Sequence, residues 1–290
     1  MIHDDCDVYN IIGDEMKKLF KWPGGKSKEI KQIMALMPVE YERVVEPFAG
    51  SAALSFYLEK PAIICDLDTQ VTNFYACLKA DWQRLADLIE GDRVCPYMLR
   101  DDPGRSETRT LEDAYYAARV RLKSAQTLNL PGADFQAASD FYVTRALSFS
   151  GMLRNSPKGG SNVPYGWYKA FKNNLNVQVS ALLGTWQICN GSYTQVSAYL
   201  NRRDFVFLDP PYRNRAGYQT PDWTDDDHKA FIEWTKALEC KWLIVHTEDD
   251  LYREEFKDYK TVTKSHMYSQ NFKGRANSGS KVEHIYIRNY

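Results

Sequence analysis

Leu208-Asp-Pro-Pro-Tyr212 follows an apolar run, Phe205-Val-Phe-Leu208, and joins a carboxylate, two prolines and a phenol ring in one turn. Proline has no backbone N–H, so such a turn offers acceptors with few competing donors. The Asp209 carboxylate and the Pro210 carbonyl can then face outward together, giving two acceptors to one planar NH2 group. Tyr212 adds a ring on which a base can stack. A second segment, Lys21-Trp-Pro-Gly-Gly-Lys-Ser27, ends in Gly-Lys-Ser. A nucleotide phosphate loop requires a glycine where Phe20 stands, and that reading is excluded. Two glycines opening a helix can still present free amides and Lys26 to a carboxylate. In Val44-Val-Glu-Pro-Phe-Ala-Gly-Ser-Ala52 a strand ends in a glycine turn, the natural floor for a ligand beyond the carboxyl end of a parallel strand. Cys65-Asp-Leu-Asp68 puts Asp66 at the end of the next strand, where a carboxylate accepts hydrogen bonds from a ribose diol. Taken alone, Asp66 suits a helix cap equally well.

These residues need elements that bring them together. The β-branched run at Arg43–Glu46 predicts a strand, Ser51–Leu58 a helix, and Ala62–Cys65 a second strand. Asp68 is placed to cap one long helix reaching Gly91, with Val71, Phe74, Tyr75, Leu78, Trp82, Leu85 and Leu88 on its apolar face. Ser27 onward reads as a further helix, with Ile30, Ile33 and Met34 inward. Gly91 to Thr110, with Pro96, Pro103 and Gly104 among charges, reads as a linker. Helices are expected over about Leu111–Leu128 and Asp134–Leu147, then a Gly/Pro/Asn-rich loop from Ser150 to Gly166. The α/β rhythm returns at Phe205–Leu208, Trp242–Val245 and Glu283–Ile287, with a helix opened by the capping box Thr224-Asp-Asp-Asp227. The fold class is therefore α/β, a doubly wound Rossmann-like sheet with an inserted, mostly helical unit. The expected boundaries are 1–90 and 175–290 for the α/β domain and 91–174 for the insertion.

The 290 residues are 44% hydrophobic and 13% aromatic, enough for a full core. No apolar run approaches the length of a membrane span, and the acidic start "MIHDDCDVYN" is unlike a secretory leader, so a cytoplasmic protein is expected. Six cysteines without a C-x-x-C pair and five histidines without ligand spacing point to neither disulfides nor a metal. The formal charge of −1 conceals an uneven distribution. From Phe141 to Arg203 there is no acidic residue, while Arg145, Arg154, Lys158, Lys169, Lys172, Arg202 and Arg203 fall in that window. A single-sign stretch of this length suits a polyanion.

In this order the segments resemble the Dam-type (D12 class, alpha group) DNA adenine-N6 methyltransferases, from about Phe20 to Tyr290. "KWPGGK" resembles that family's N-terminal cofactor motif, "VEPFAGSAAL" its glycine motif, "CDLD" its acidic motif and "DPPY" its catalytic motif. "FSGMLRNSPKGGSNVPYGWYK", Phe149 to Lys169, resembles its target-recognition loop. The resemblance implies S-adenosylmethionine as cofactor, held by Trp22, Lys26, Glu46, Pro47, Phe48, Gly50, Asp66 and Asp209. It implies Asp209, Pro210 and Tyr212 as the catalytic residues, acting on an adenine flipped out of double-stranded DNA within GATC or a related site. Lys21, Phe149, Met152, Arg154, Lys158, Pro164 and Tyr168 are implied to touch DNA, and a monomer without metal or membrane is expected. Asp-Pro-Pro-Tyr motifs also serve methylation of RNA bases or of a protein glutamine amide; the N-terminal motif and the basic insertion look like the DNA family. Retention of Lys26, Asp66, Asp209 and Tyr212 weighs against an inactive DNA-binding regulator. Two departures stand out: Ala52, where the family has a second glycine, is expected to narrow the methionine pocket, and Ser150 replaces an asparagine before Gly151.

Overall fold

The computed structural model of the chain describes residues 19–93, 107–125, 133–154, 160–168, 171, 173–213, 223–267 and 281–290. Within them, short β-branched and aromatic runs form β1 (Val44–Glu46), β2 (Ala62–Asp66), β3 (Gln187–Asn190), β4 (Phe205–Leu208), β5 (Lys241–Thr247), β6 (Lys260–Met267) and β7 (Lys281–Arg288). They make one sheet of order β3-β2-β1-β4-β5-β7-β6. The first five strands are parallel, and β7 lies antiparallel between β5 and β6. Every residue of β1 and β4 is buried, as a parallel sheet covered on both faces requires. Strand order runs outward in opposite directions from the β1–β4 pair. The loops leaving these two strands, Pro47–Ala52 and Asp209–Tyr212, therefore diverge and leave a crevice between them.

The helices are α1 (Ile30–Leu36), α2 (Ala53–Leu58), α3 (Thr69–Ala80), α4 (Trp82–Arg93), α5 (Glu107–Ala125), α6 (Phe135–Leu147), α7 (Val177–Gly184), α8 (Asp225–Lys236) and α9 (Asp250–Glu255). Asp68 caps α3 as expected, its side chain accepting from the Gln70 amide at 2.9 Å. The single long helix does not form. The chain turns at Asp81, whose carboxylate accepts from the Arg84 amide at 3.0 Å and opens α4. The helix expected from Ser27 starts at Ile30, after a 3-10 turn over Lys26–Lys28. The Thr224 capping box forms, with the Asp227 amide donating to Thr224 Oγ1 at 3.2 Å and the Thr224 amide to Asp227 Oδ2 at 2.8 Å. One apolar cluster runs from Val71, Phe74, Leu78 and Leu85 into Leu111, Tyr115, Phe141 and Tyr142, so α5 and α6 share a core with α3 and α4. No helix among the described residues is long and apolar enough to cross a membrane.

The entries to β1 and β4 are tied by a two-pronged pair. Arg43 donates through Nε (2.9 Å) and a terminal nitrogen (2.8 Å) to Asp204, whose side chain is fully buried. Asp204 also accepts from the Asn201 amide at 2.9 Å. Removing one member of such a pair strands the other with its desolvation cost, reduced here because the Arg43 side chain keeps 30% exposure. Asp204→Ala is expected to lower the urea-unfolding free energy by about 2–3 kcal/mol. A loss below about 1 kcal/mol would show that the pair does not anchor the sheet.

Candidate active site

A cavity of about 510 Å³ fills the crevice, a size in the usual range for small-molecule sites. Trp22, Lys26, Glu46, Pro47, Phe48, Gly50, Asp66, Asp209, Pro210 and Tyr212 all line it. The structure thus brings together every residue read from the sequence as catalytic or cofactor-binding. It adds Ser192, Tyr193 and Trp223, which no motif marked. Ser192 and Tyr193 follow β3, a strand too short and polar to be noticed. Phe48 stacks on Tyr193 with ring centroids 5.4 Å apart, and Trp223 meets Phe48 edge-on at 5.7 Å, giving the cavity an aromatic wall.

Asp209 leaves the end of β4 into the crevice and meets Lys26 from the N-terminal loop, with Nζ 2.6 Å from Oδ2. Lys26 Nζ also donates to the Gly24 carbonyl at 2.7 Å, and the Tyr212 hydroxyl donates to Asp209 Oδ1 at 3.1 Å. Burial raises the Asp209 carboxyl above its ordinary value, against the opposing pull of Lys26 and Tyr212. The acid sits at the cavity wall with 21% of its side chain exposed, while the Lys26 side chain keeps 5%.

Glu46 and Asp66 hold the glycine turn from either side. The Ser55 amide donates to Glu46 Oε1 at 2.8 Å. The Gly50 and Asp68 amides donate to the two oxygens of Asp66, at 2.7 and 2.9 Å. Asp66 is thus a turn anchor that also faces the cavity. Gly50 is required by geometry: its φ is +46°, and a Cβ there would stand 2.4 Å from the Trp22 indole nitrogen. Ala52 has φ +45° and is fully buried, whereas Ser51 and Ala53 line the cavity. Its effect is backbone strain and not the expected narrowing of the pocket. Ser150 likewise has φ +52°. Both departures therefore fall where glycine or asparagine is the less strained choice.

The residues expected to touch DNA form a separate group. The Phe149 amide donates to the Pro164 carbonyl at 2.9 Å and the Gly166 amide to the Leu147 carbonyl at 2.8 Å, closing a loop at the end of α6. Phe149, Arg154 and Pro164 are exposed on it and Met152 is half-buried. Arg154 is braced by Asn162, its Nε donating to the side-chain oxygen at 2.6 Å. Lys21 and Tyr168 brace the base of the loop. Lys21 Nζ donates to the Ala146 carbonyl at 3.2 Å and to the Tyr168 hydroxyl, which donates to the Ser148 carbonyl at 3.2 Å. Lys158 lies outside the described residues. Trp167, which lies within the Phe149 to Lys169 segment but was given no role there, is 70% exposed on the same loop.

Burial drives the Glu46 carboxyl up to about 7, although the Ser55 hydrogen bonds pull it down. A carboxyl raised in the folded state stabilises the fold while protonated, fully below its ordinary value of 4.5 and no longer above about 7. Glu46→Gln removes that penalty. At pH 8 the variant is expected to be more stable than the parent by up to roughly 3 kcal/mol, with the gap closing toward pH 5. Parallel stability curves from pH 5 to 8 would contradict the assignment.

The sequence matches the D12 class N6 adenine-specific DNA methyltransferase family over residues 22–270. It is 27% identical over 286 residues to the type II methyltransferase M.CviBI of Paramecium bursaria Chlorella virus NC1A, covering 95% of this chain and 100% of that one. It is 28% identical over 245 residues to the type II methyltransferase M.MjaIII of Methanocaldococcus jannaschii, covering 78% of this chain and 81% of the other. It is also 28% identical over 253 residues to the retron Ec67 DNA adenine methylase of Escherichia coli, covering 84% and 82%. A match of this extent, on a chain whose motif residues converge on one crevice, shows that the protein belongs to the D12 class of N6 adenine-specific DNA methyltransferases.

Proposed function

We propose that the protein transfers a methyl group from S-adenosylmethionine to the N6 amino group of an adenine flipped out of double-stranded DNA, within GATC or a related site. The observation that carries this reading is the Lys26–Asp209–Tyr212 arrangement on the wall of a cavity rich in acids. Glu46, Asp66, Asp68, Asp209 and Asp227 line that cavity against a single described base, Lys26. Such a lining suits a ligand bearing sulfonium and ammonium charges. Glu46 is placed to pair with the ammonium, and Lys26, with two of its three N–H groups on Asp209 and Gly24, keeps one for the carboxylate. Asp66 retains lone pairs for a ribose diol, and the Phe48, Tyr193 and Trp223 wall suits a purine. The cofactor supplies an electrophilic methyl group on its sulfonium.

The adenine amino nitrogen is a poor nucleophile because its lone pair is delocalised into the ring. Asp209 and the Pro210 carbonyl accept its two hydrogens and localise that pair. These bonds strengthen as positive charge grows on nitrogen, which favours the transition state over the ground state. Tyr212 orients the carboxylate through its hydroxyl and offers the base a ring. Flipping the base costs a few kcal/mol, which the positively charged stretch between Phe141 and Arg203 helps to offset. In this reading residues 91–174 are the target-recognition unit, the protein acts as a monomer in the cytoplasm, and Phe149, Met152, Arg154 and Pro164 present themselves to the duplex.

Asp209→Ala is expected to retain S-adenosylmethionine binding, followed by tryptophan fluorescence, and to lose methyl transfer to duplex DNA by at least about 10²–10³-fold. Full transfer activity would exclude the role given to Asp209. Arg154→Ala is expected to lose roughly 1–3 kcal/mol of discrimination at one base pair, while Lys158→Ala weakens binding to all sequences alike. Equal losses for Arg154→Ala on cognate and scrambled duplexes would remove it from base readout.

A further inference from the structure

Behind the cavity lies a buried group that the reading above does not use. Glu29 follows the 3-10 turn that carries Lys26, its amide donating to the Lys26 carbonyl at 2.8 Å. Its side chain keeps 4% exposure and points away from the cavity lining, toward β7. Glu29 Oε2 lies 2.7 Å from His284 Nδ1 and accepts from the Tyr286 hydroxyl at 2.6 Å. Burial opposes ionisation of Glu29, yet His284, Lys26 and Tyr286 outweigh it and hold the carboxyl at about 2. An ionised carboxylate only accepts, so the proton of this bond sits on His284 Nδ1. The imidazole, fully buried, packs edge-on against the Tyr212 ring with centroids 5.5 Å apart. His246 meets that ring in the same way at 5.1 Å, and Lys26 Nζ lies 5.2 Å from its centroid.

These contacts close a circuit. Asp209 is held by Lys26 and Tyr212; Lys26 is joined to Glu29 through one turn of backbone; Glu29 fixes the His284 ring; and His284 fixes the Tyr212 ring. We infer that Glu29 and His284 are positioning residues for methyl transfer, setting the placement of Lys26 and Tyr212 about Asp209 through their mutual hydrogen bond. Neither lines the cavity, so neither touches a ligand there; besides placing Lys26 and Tyr212, the Glu29 charge acts across the site to raise the Asp209 carboxyl. The inference rests on the proposed role of Asp209. Misplacement of a reacting group by a fraction of an ångström to an ångström costs up to about 10²-fold in rate. Because Lys26 is also the group proposed to hold the cofactor carboxylate, some cofactor affinity is lost with it, but less than the rate.

The test is single-turnover methyl transfer to a GATC duplex, normalised to the S-adenosylmethionine sites counted by equilibrium dialysis so that unfolded protein does not enter the rate. For Glu29→Gln and His284→Gln the rate constant is expected to fall at least tenfold, with the duplex dissociation constant changed less than threefold and the cofactor dissociation constant raised by a smaller factor than the rate constant falls. The double variant is expected to lose no more than either single one, because both break the same bond. Tyr286→Phe, which removes one partner of Glu29 and leaves its charge in place, is the milder variant if the others bind no cofactor. Its rate constant is expected to fall about threefold with the same affinities. An unchanged rate constant per cofactor site in whichever variants bind cofactor overturns the inference, as does a loss confined to affinity. Asp209→Ala run in parallel separates the two levels: if it is active, the proposed function fails; if it is inactive while Glu29→Gln is fully active, only this inference fails.

Discussion

Lys26 and Asp209, 183 residues apart in the chain, meet at 2.6 Å at the wall of the crevice with most of both side chains buried, and the arrangement of the crevice depends on that contact. A carboxylate at the end of a fully buried strand, with 21% of its side chain exposed, has little solvent to stabilise it. Without a cation it takes up a proton, and a neutral carboxyl is a weaker acceptor for a developing positive charge. The lysine arrives from a loop whose backbone is constrained by the close approach of Trp22 to Gly50, so glycine turn, N-terminal loop and catalytic turn form one packed unit. The antiparallel β7 closes this unit from behind, through His284 and Tyr286 on Glu29.

The same crowding accounts for the electrostatics of the cavity. Burial raises Glu46 to about 7 and Asp66 to about 6, against the opposing pull of the amides they accept from, Ser55 for Glu46 and Gly50 and Asp68 for Asp66. They serve structure and ligand with the same oxygens. A cationic ligand relieves the stored desolvation cost, which links the stability of the ligand-free protein to the affinity it shows.

Much of this was legible in the sequence. The apolar run before Asp209, the glycine turn at Gly50 and the acid at Asp66 each carry a local signal, and the doubly wound topology then places them at the switch between β1 and β4. What was not legible follows from the physics. Lys260–Met267 forms β6 at the sheet edge, paired on one side only, and its Lys, Thr and Ser residues carry no apolar alternation. The continuous apolar face of α3 and α4 hid the break at Asp81, although that residue is itself a good cap. Lys21 and Tyr168 were each implied to touch DNA, but their pairing with one another was not legible, because nothing in one segment reveals that its partner lies 147 residues away. The Glu29–His284 contact was invisible for the same reason.

The most direct measurement is a structure of the protein with S-adenosylhomocysteine and a duplex carrying its target adenine. The N6 amino group is expected to lie within hydrogen-bonding distance of the Asp209 carboxylate and the Pro210 carbonyl, with the methionine end of the cofactor product between Glu46 and Lys26. An adenine seated elsewhere in the cavity, with Asp209 sealed behind Lys26 and Tyr212 and out of reach of the base, would contradict it.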